Sequence, residues 1–117
     1  MRVYISGAIT GVPDHAEKFK AAFVALVKQG YIPVNPLTLG EALKYKLGRE
    51  PTWHEYMRED IKALTNCDAI YMMEGWEKSS GARLEEHVAY RLGLIQIFEG
   101  RNNGNKKSTW SRIRSIN

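Results

Sequence analysis

In residues 69–98, AIYMMEGWEKSSGARLEEHVAYRLGLIQIF, two short apolar runs flank a longer amphipathic one. Ala69–Met73 is continuously apolar, as strands buried on both faces of a parallel sheet are. The segment Glu74–Ser80 then breaks the pattern as a loop. From about Gly81 to Leu92, Leu84, Val88 and Leu92 recur at helical spacing, and Gly93 stands where such a helix stops. Leu94–Phe98 is a second strand. Strand, helix and strand in this order make a crossover unit with parallel strands.

The upstream sequence repeats that rhythm. Residues 2–6 (RVYIS) are a β-branched and aromatic strand halted at Gly7. Gly7–Asp14 is a loop, and a helical period through Ala16, Phe19, Phe23, Leu26 and Val27 runs from about His15 to Gln29. Tyr31–Val34 is a short strand cut by Asn35–Pro36. Thr38 is placed to cap a short helix reaching about Tyr45. Thr52 is placed to open another from Trp53 to about Asn66, with Glu55 at capping-box spacing. Alternating strands and helices imply an α/β fold: a three-layer, Rossmann- or flavodoxin-like parallel sheet of four or five strands with helices on both faces. Ligands of such sheets gather at the C-terminal ends of the strands.

The chain has 117 residues, enough for one domain. No apolar run approaches the roughly 20 residues of a membrane span. The opening MRVYISG lacks the long apolar stretch of a signal peptide, and the one cysteine, Cys67, has no internal partner for a disulfide. These features lead to the expectation of a cytoplasmic protein with no membrane partner. The net charge of +4 is unevenly placed. Five of the seventeen basic residues and none of the thirteen acidic ones fall in residues 101–117, which leaves twelve against thirteen in the first hundred. A domain over residues 1–100 and a basic tail over 101–117 follow. The near-neutral body argues against nucleic acid as a partner.

Two carboxylates stand out on the helices. On a 100° wheel with Leu84, Val88 and Leu92 facing the core, Glu85 lies about 60° from the centre of the arc and Glu86 about 160° away. Glu86 is therefore expected in solvent and Glu85 at the core's edge. In the preceding helix Trp53, Met57, Ile61 and Leu64 form the apolar face, and Asp60 falls within it. A buried, unpaired carboxylate is strongly penalised. A nearby cap or a pairing with Arg83 would account for one such acid; two on neighbouring elements point to a functional site. Ser79, Ser80 and Gly81 stand where a helix N-terminus can hold an anion, although an ordinary cap accounts for them equally.

These motifs resemble the nucleoside 2-deoxyribosyltransferase-like superfamily, which includes the 2′-deoxynucleoside 5′-monophosphate N-glycosidases. The short members common in phages and bacteria are the most similar. VYISGAITG (residues 3–11) is similar to the family's first strand and substrate loop, with Tyr4 at the active-site tyrosine. Asn35–Pro36 resembles the end of its second strand. Asp60 and Asp68 match its D-x₇-D segment. SGARLEEHVA (residues 80–89) resembles the helix start that carries the family nucleophile, at Glu85. His87 departs from a frequent glycine, Ala82 from a frequent threonine, and Thr10 from a phosphate-binding arginine of the hydrolases. Ser79, six residues before Glu85, stands where the hydrolases use a phosphate-binding serine and the transferases an acid.

The resemblance implies hydrolysis of the N-glycosidic bond of a nucleoside 5′-monophosphate. Glu85 would be the nucleophile, Asp60 the proton donor and Tyr4 the holder of Glu85. Ser6, Gly7, Ile9, Thr10, Asn35, Trp76, Ser79, Ser80 and Gly81 would bind substrate. Trp76 would stack on the base, or else simply pack at the surface. Transfer of deoxyribose between bases and a non-catalytic nucleotide sensor remain alternatives. The implied partner is a small-molecule nucleoside or nucleotide, and the resemblance implies a homodimer or larger assembly. No cofactor is expected, and His15, His54 and His87 lack metal-ligand spacing.

Overall fold

In a computed structural model that describes residues 1–100, four strands form one parallel sheet. The elements follow as β1 (Arg2–Ser6), α1 (His15–Lys28), β2 (Ile32–Val34), α2 (Pro36–Leu47), α3 (Trp53–Thr65), β3 (Ala69–Met72), a 3₁₀ turn (Trp76–Lys78), α4 (Ser80–Arg91) and β4 (Ile95–Phe98). The strand order is β2-β1-β3-β4. Register pairs Tyr4 with Val34 and Ile70, and Ile70 with Gln96. The chain leaves β1 in one direction to reach β2 and returns past it to β3. The order therefore reverses between β1 and β3, where open sheets of this kind form a crevice. The basic tail and the question of a fifth strand lie outside the described residues. Among those described, no helix is long and apolar enough to cross a membrane.

Strand alternation divides the core in two. Val3, Ile5 and Ala69 pack beneath Phe19, Ala22 and Leu26 of α1. Tyr4, Ile70, Met72 and Phe98 meet Leu64 of α3 and Ala82 and Ala89 of α4 on the opposite face. The result is the three-layer α/β arrangement, with α1 on one side and α3 and α4 on the other.

Local chemistry explains where the helices begin. Thr52 opens α3 with a full capping box: its hydroxyl accepts from the Glu55 backbone N–H at 3.2 Å, and Glu55 accepts from the Thr52 N–H at 2.8 Å. Thr38, by contrast, is not a cap. Asn35 caps α2 by accepting from the Leu37 N–H, and Pro36 fills the first helical position, where a missing N–H costs nothing. The helix runs past Tyr45 to end at Gly48, whose φ of 69° suits glycine.

The wheels drawn from large apolar residues were rotated from the true ones. In α4 the buried positions are Ala82, Glu85 and Ala89, while Leu84 and Leu92 are 38% and 52% exposed. Small residues let α4 approach the sheet closely, and this puts Glu85 in the middle of the buried face. In α1, Ala22 is buried whereas Phe23 and Val27 are exposed. In α3, Trp53 is exposed, with its ring edge-on to His54, and Met57, Asp60 and Leu64 turn inward. Glu86 is not free in solvent. It accepts a 2.6 Å hydrogen bond from Nε2 of Gln96, a fully buried residue of β4 whose amide needs an interior partner.

Candidate active site

The site is assembled from β1 outward. Tyr4 and Ser6 are two residues apart on this strand, so both side chains leave the same face, toward α4. Tyr4 Oη donates to Glu85 Oε2 at 2.7 Å, and Ser6 Oγ donates to Glu85 Oε1 at 2.6 Å. All three side chains are buried. One carboxylate thus has a hydroxyl donor on each oxygen. Charge-assisted bonds of this kind contribute about 1.5–3 kcal/mol apiece, which offsets part of the cost of removing the carboxylate from water.

Burial raises the Glu85 carboxyl to about 7, and the Ser6 and Tyr4 hydroxyls work against that rise by favouring the ionised form. Burial, followed by the charges of Glu85 and Asp60, pushes the Tyr4 phenol well above its ordinary value. Tyr4 therefore stays a donor throughout the physiological range. Asp60 turns inward from α3, and its carboxyl is raised to about 7 by burial first, then by the negative charges of Glu85 and Glu59. Tyr4 feels both acids, which places Asp60 and Glu85 in one electrostatic unit. The charge of Glu85 opposes ionisation of Asp60, so the two acids resist carrying charge at the same time.

Gly7 follows Ser6 at the end of β1. A Cβ there would lie 2.9 Å from Met73 Sδ and 3.0 Å from Met73 Cβ. The Met73 N–H donates to Ser6 O at 2.8 Å, so the ends of β1 and β3 meet at the crevice. Ile9 and Thr10 are exposed on the loop beyond. Asn35 is half-buried at the start of α2, with its side-chain oxygen engaged in the cap.

At the other side Ser79 caps α4 by accepting from the Ala82 N–H at 3.1 Å. Ser80 is exposed, and a Cβ on Gly81 would meet Met57 Sδ at 3.2 Å. These three residues lie one to two helical turns before Glu85. The Trp76 carbonyl accepts from the Ser79 N–H at 3.0 Å, which ties the 3₁₀ turn to the head of α4. Trp76 is half-buried against Phe98, with ring centroids 6.2 Å apart, and lines a cavity of about 190 Å³ with Glu74, Glu77 and Glu99. Arg83 donates to the Glu77 backbone carbonyl. Among the described residues no group of three or more His, Cys, Asp or Glu could hold a metal ion.

The structure therefore brings Tyr4, Ser6, Asp60 and Glu85 together, with Gly7 beside them and Ser79–Gly81 at the head of the same helix. The link from Ser6 to Glu85 was not expected. The alternation of β1, which puts Ser6 on the face of Tyr4, is the signal that could have revealed it.

Comparison with known proteins gives a family and a likeness to solved structures. A family described as a domain of unknown function, DUF4406, matches residues 1–98. Among solved structures the chain is similar to the CMP N-glycosidase BcmB of Clostridium botulinum. The two are 16% identical with a TM-score of 0.58, over 97% of this chain and 83% of that one, which is a likeness of fold. No curated protein matches the chain.

Proposed function

The chain belongs to the DUF4406 family, a domain of unknown function, and from its site we propose that it hydrolyses the N-glycosidic bond of a nucleoside 5′-monophosphate with Glu85 as nucleophile. The observation that carries the reading is the pairing of two inward-facing acids with different surroundings. Burial raises Glu85 to about 7, but the hydroxyls of Tyr4 and Ser6 on its two oxygens work toward its carboxylate form. Asp60 is raised to about 7 beside it, which favours retention of a proton near neutral pH.

Cleavage of a C1′–N bond needs these two forms at once. The Glu85 carboxylate adds to C1′ as the C1′–N bond breaks, and the bond's electron pair leaves with the base. The Asp60 proton neutralises that base. Water then attacks C1′ of the glycosyl ester, gives its proton to Asp60 and frees Glu85. Proton and electron pair balance without a cofactor.

The fold supports this reading, since the similar solved structure is an N-glycosidase acting on CMP. The electrostatics around α4 favour one position for the phosphate. The N-terminus of α4, with Ser79, Ser80 and Gly81, presents N–H and hydroxyl groups suited to an anion. The cavity beside Trp76 is walled by three glutamates and would repel one.

The test is product analysis after incubating wild type and Glu85→Ala with a panel of nucleosides and their 5′-monophosphates. Free base released from a monophosphate by wild type alone is the expected result. Release only when a second base is supplied would make the protein a deoxyribosyltransferase. Tight binding of a nucleotide with no turnover would make it a sensor and sink the catalytic reading.

A further inference from the structure

We propose that Ser6 is a positioning residue for Glu85 and not a contact of the substrate. Its hydroxyl, with that of Tyr4, sets the plane and rotamer of the carboxylate before any ligand binds. The proposal rests on Glu85 being the reacting group. Its observations, however, are independent of which nucleotide reacts.

Glutamate has three side-chain torsions, and the last of them has a broad, roughly two-fold profile that a single donor on one oxygen restrains less than a donor on each. Here each oxygen has its own donor, at 2.6 and 2.7 Å, and both donors come from one strand two residues apart. That strand is itself held on both sides, by β2 and β3. The Ser6 backbone is tied further by the hydrogen bond from the Met73 N–H. Two anchors on a rigid support define a plane as well as a point, and preorganisation of this kind favours reaction.

The same geometry removes Ser6 from the substrate. Its side chain is fully buried, and a serine hydroxyl has one proton, already directed at Glu85 Oε1. Position in the substrate loop would suggest a ligand contact, but the strand's alternation turns this side chain inward. Loss of the hydroxyl would leave Glu85 Oε1 without its donor in a buried setting. The carboxylate form is then less favoured and its orientation less defined.

Two measurements on Ser6→Ala and Ser6→Cys test this. The first is kcat and KM across pH on the monophosphate that wild type turns over. The second is titration of the Glu85 side-chain carboxyl by NMR in protein labelled with ¹³C at the glutamate carboxyl carbon, with Glu85→Gln for assignment. For Ser6→Ala we expect kcat to fall by roughly 10- to 100-fold, with KM changed less than about threefold. The acidic limb of the profile and the Glu85 titration should both move to higher pH. Ser6→Cys, similar in shape but a weaker donor, should fall between, and it serves for both readouts if Ser6→Ala does not fold. A raised KM with kcat retained would make Ser6 a substrate contact and overturn the proposal, as would an unmoved Glu85 titration. Should wild type turn over no nucleotide, the functional reading fails, and the titration alone decides: an upward shift supports the positioning role, and none overturns it.

Discussion

Tyr4 Oη and Glu85 Oε2 stand 2.7 Å apart although 81 residues separate them along the chain. The contact joins β1 to α4, the last helix among the described residues. It is also the place where the fold's stability and its proposed chemistry compete. A carboxylate is kept in a buried setting by hydroxyls that cost little to bury themselves.

Removing one of those hydroxyls should separate the two roles. Tyr4→Phe keeps the ring that fills the core but deletes a charge-assisted bond of about 1.5–3 kcal/mol. Turnover should fall by about 10- to 100-fold, and the acidic limb of the rate profile should move to higher pH. Circular dichroism should show an unchanged fold. An unaltered rate would mean that Glu85 does not depend on this donor.

The rate itself should peak near neutral pH. Both carboxyls lie at about 7, and the proposed reaction uses the form with one proton between them. Below the acidic limb Glu85 is protonated and its nucleophilicity is lost. Above the basic limb Asp60 has no proton to give. The two apparent values belong to the pair. A profile of kcat/KM flat from pH 5 to 9 would contradict this arrangement.

Stability should run the other way with pH. The Asp60 carboxyl is raised from an ordinary value near 4 to about 7, so the folded state holds a proton that the unfolded chain releases. Its contribution is fully present below about pH 4 and is lost as pH rises toward 7. Asp60→Asn removes that loss. The variant should be more stable than wild type at pH 8 by on the order of 2 kcal/mol, with a smaller gap at pH 5. Urea denaturation at the two pH values reads the difference, and a less stable variant at pH 8 would contradict it. Its turnover should meanwhile collapse.

Gly7 should tolerate no side chain. A Cβ at 3.0 Å from Met73 Cβ meets a strand-end neighbour that can move little. Gly7→Ala should cost about 1–3 kcal/mol and lower turnover through the adjoining Ser6. Equal urea midpoints for variant and wild type would show that Met73 yields freely.

The order and type of the elements were legible along the chain because each is locally encoded. Apolar strands recur between helical periods, and the Thr52–Glu55 box is a matter of three residues. The inward placing of Asp60 was equally local, since it needs only the wheel of one helix. The α4 wheel was less reliable. Leu84 and Leu92 looked like the core face, but close approach to the sheet favours alanine, and Ala82 and Ala89 turned inward with Glu85 between them.

What remained for the tertiary structure was every relation between elements. Periodicity determines which side of a strand or helix a residue occupies; it carries no information about what stands opposite. That Ser6 would bind Glu85 depends on the register of β1 beside β3 and on the depth at which α4 packs. That Glu86 would find Gln96 depends on β4 lying under the same helix. The strength of both acids is likewise a tertiary property, because their shifts come first from burial, and burial exists only once the layers have closed.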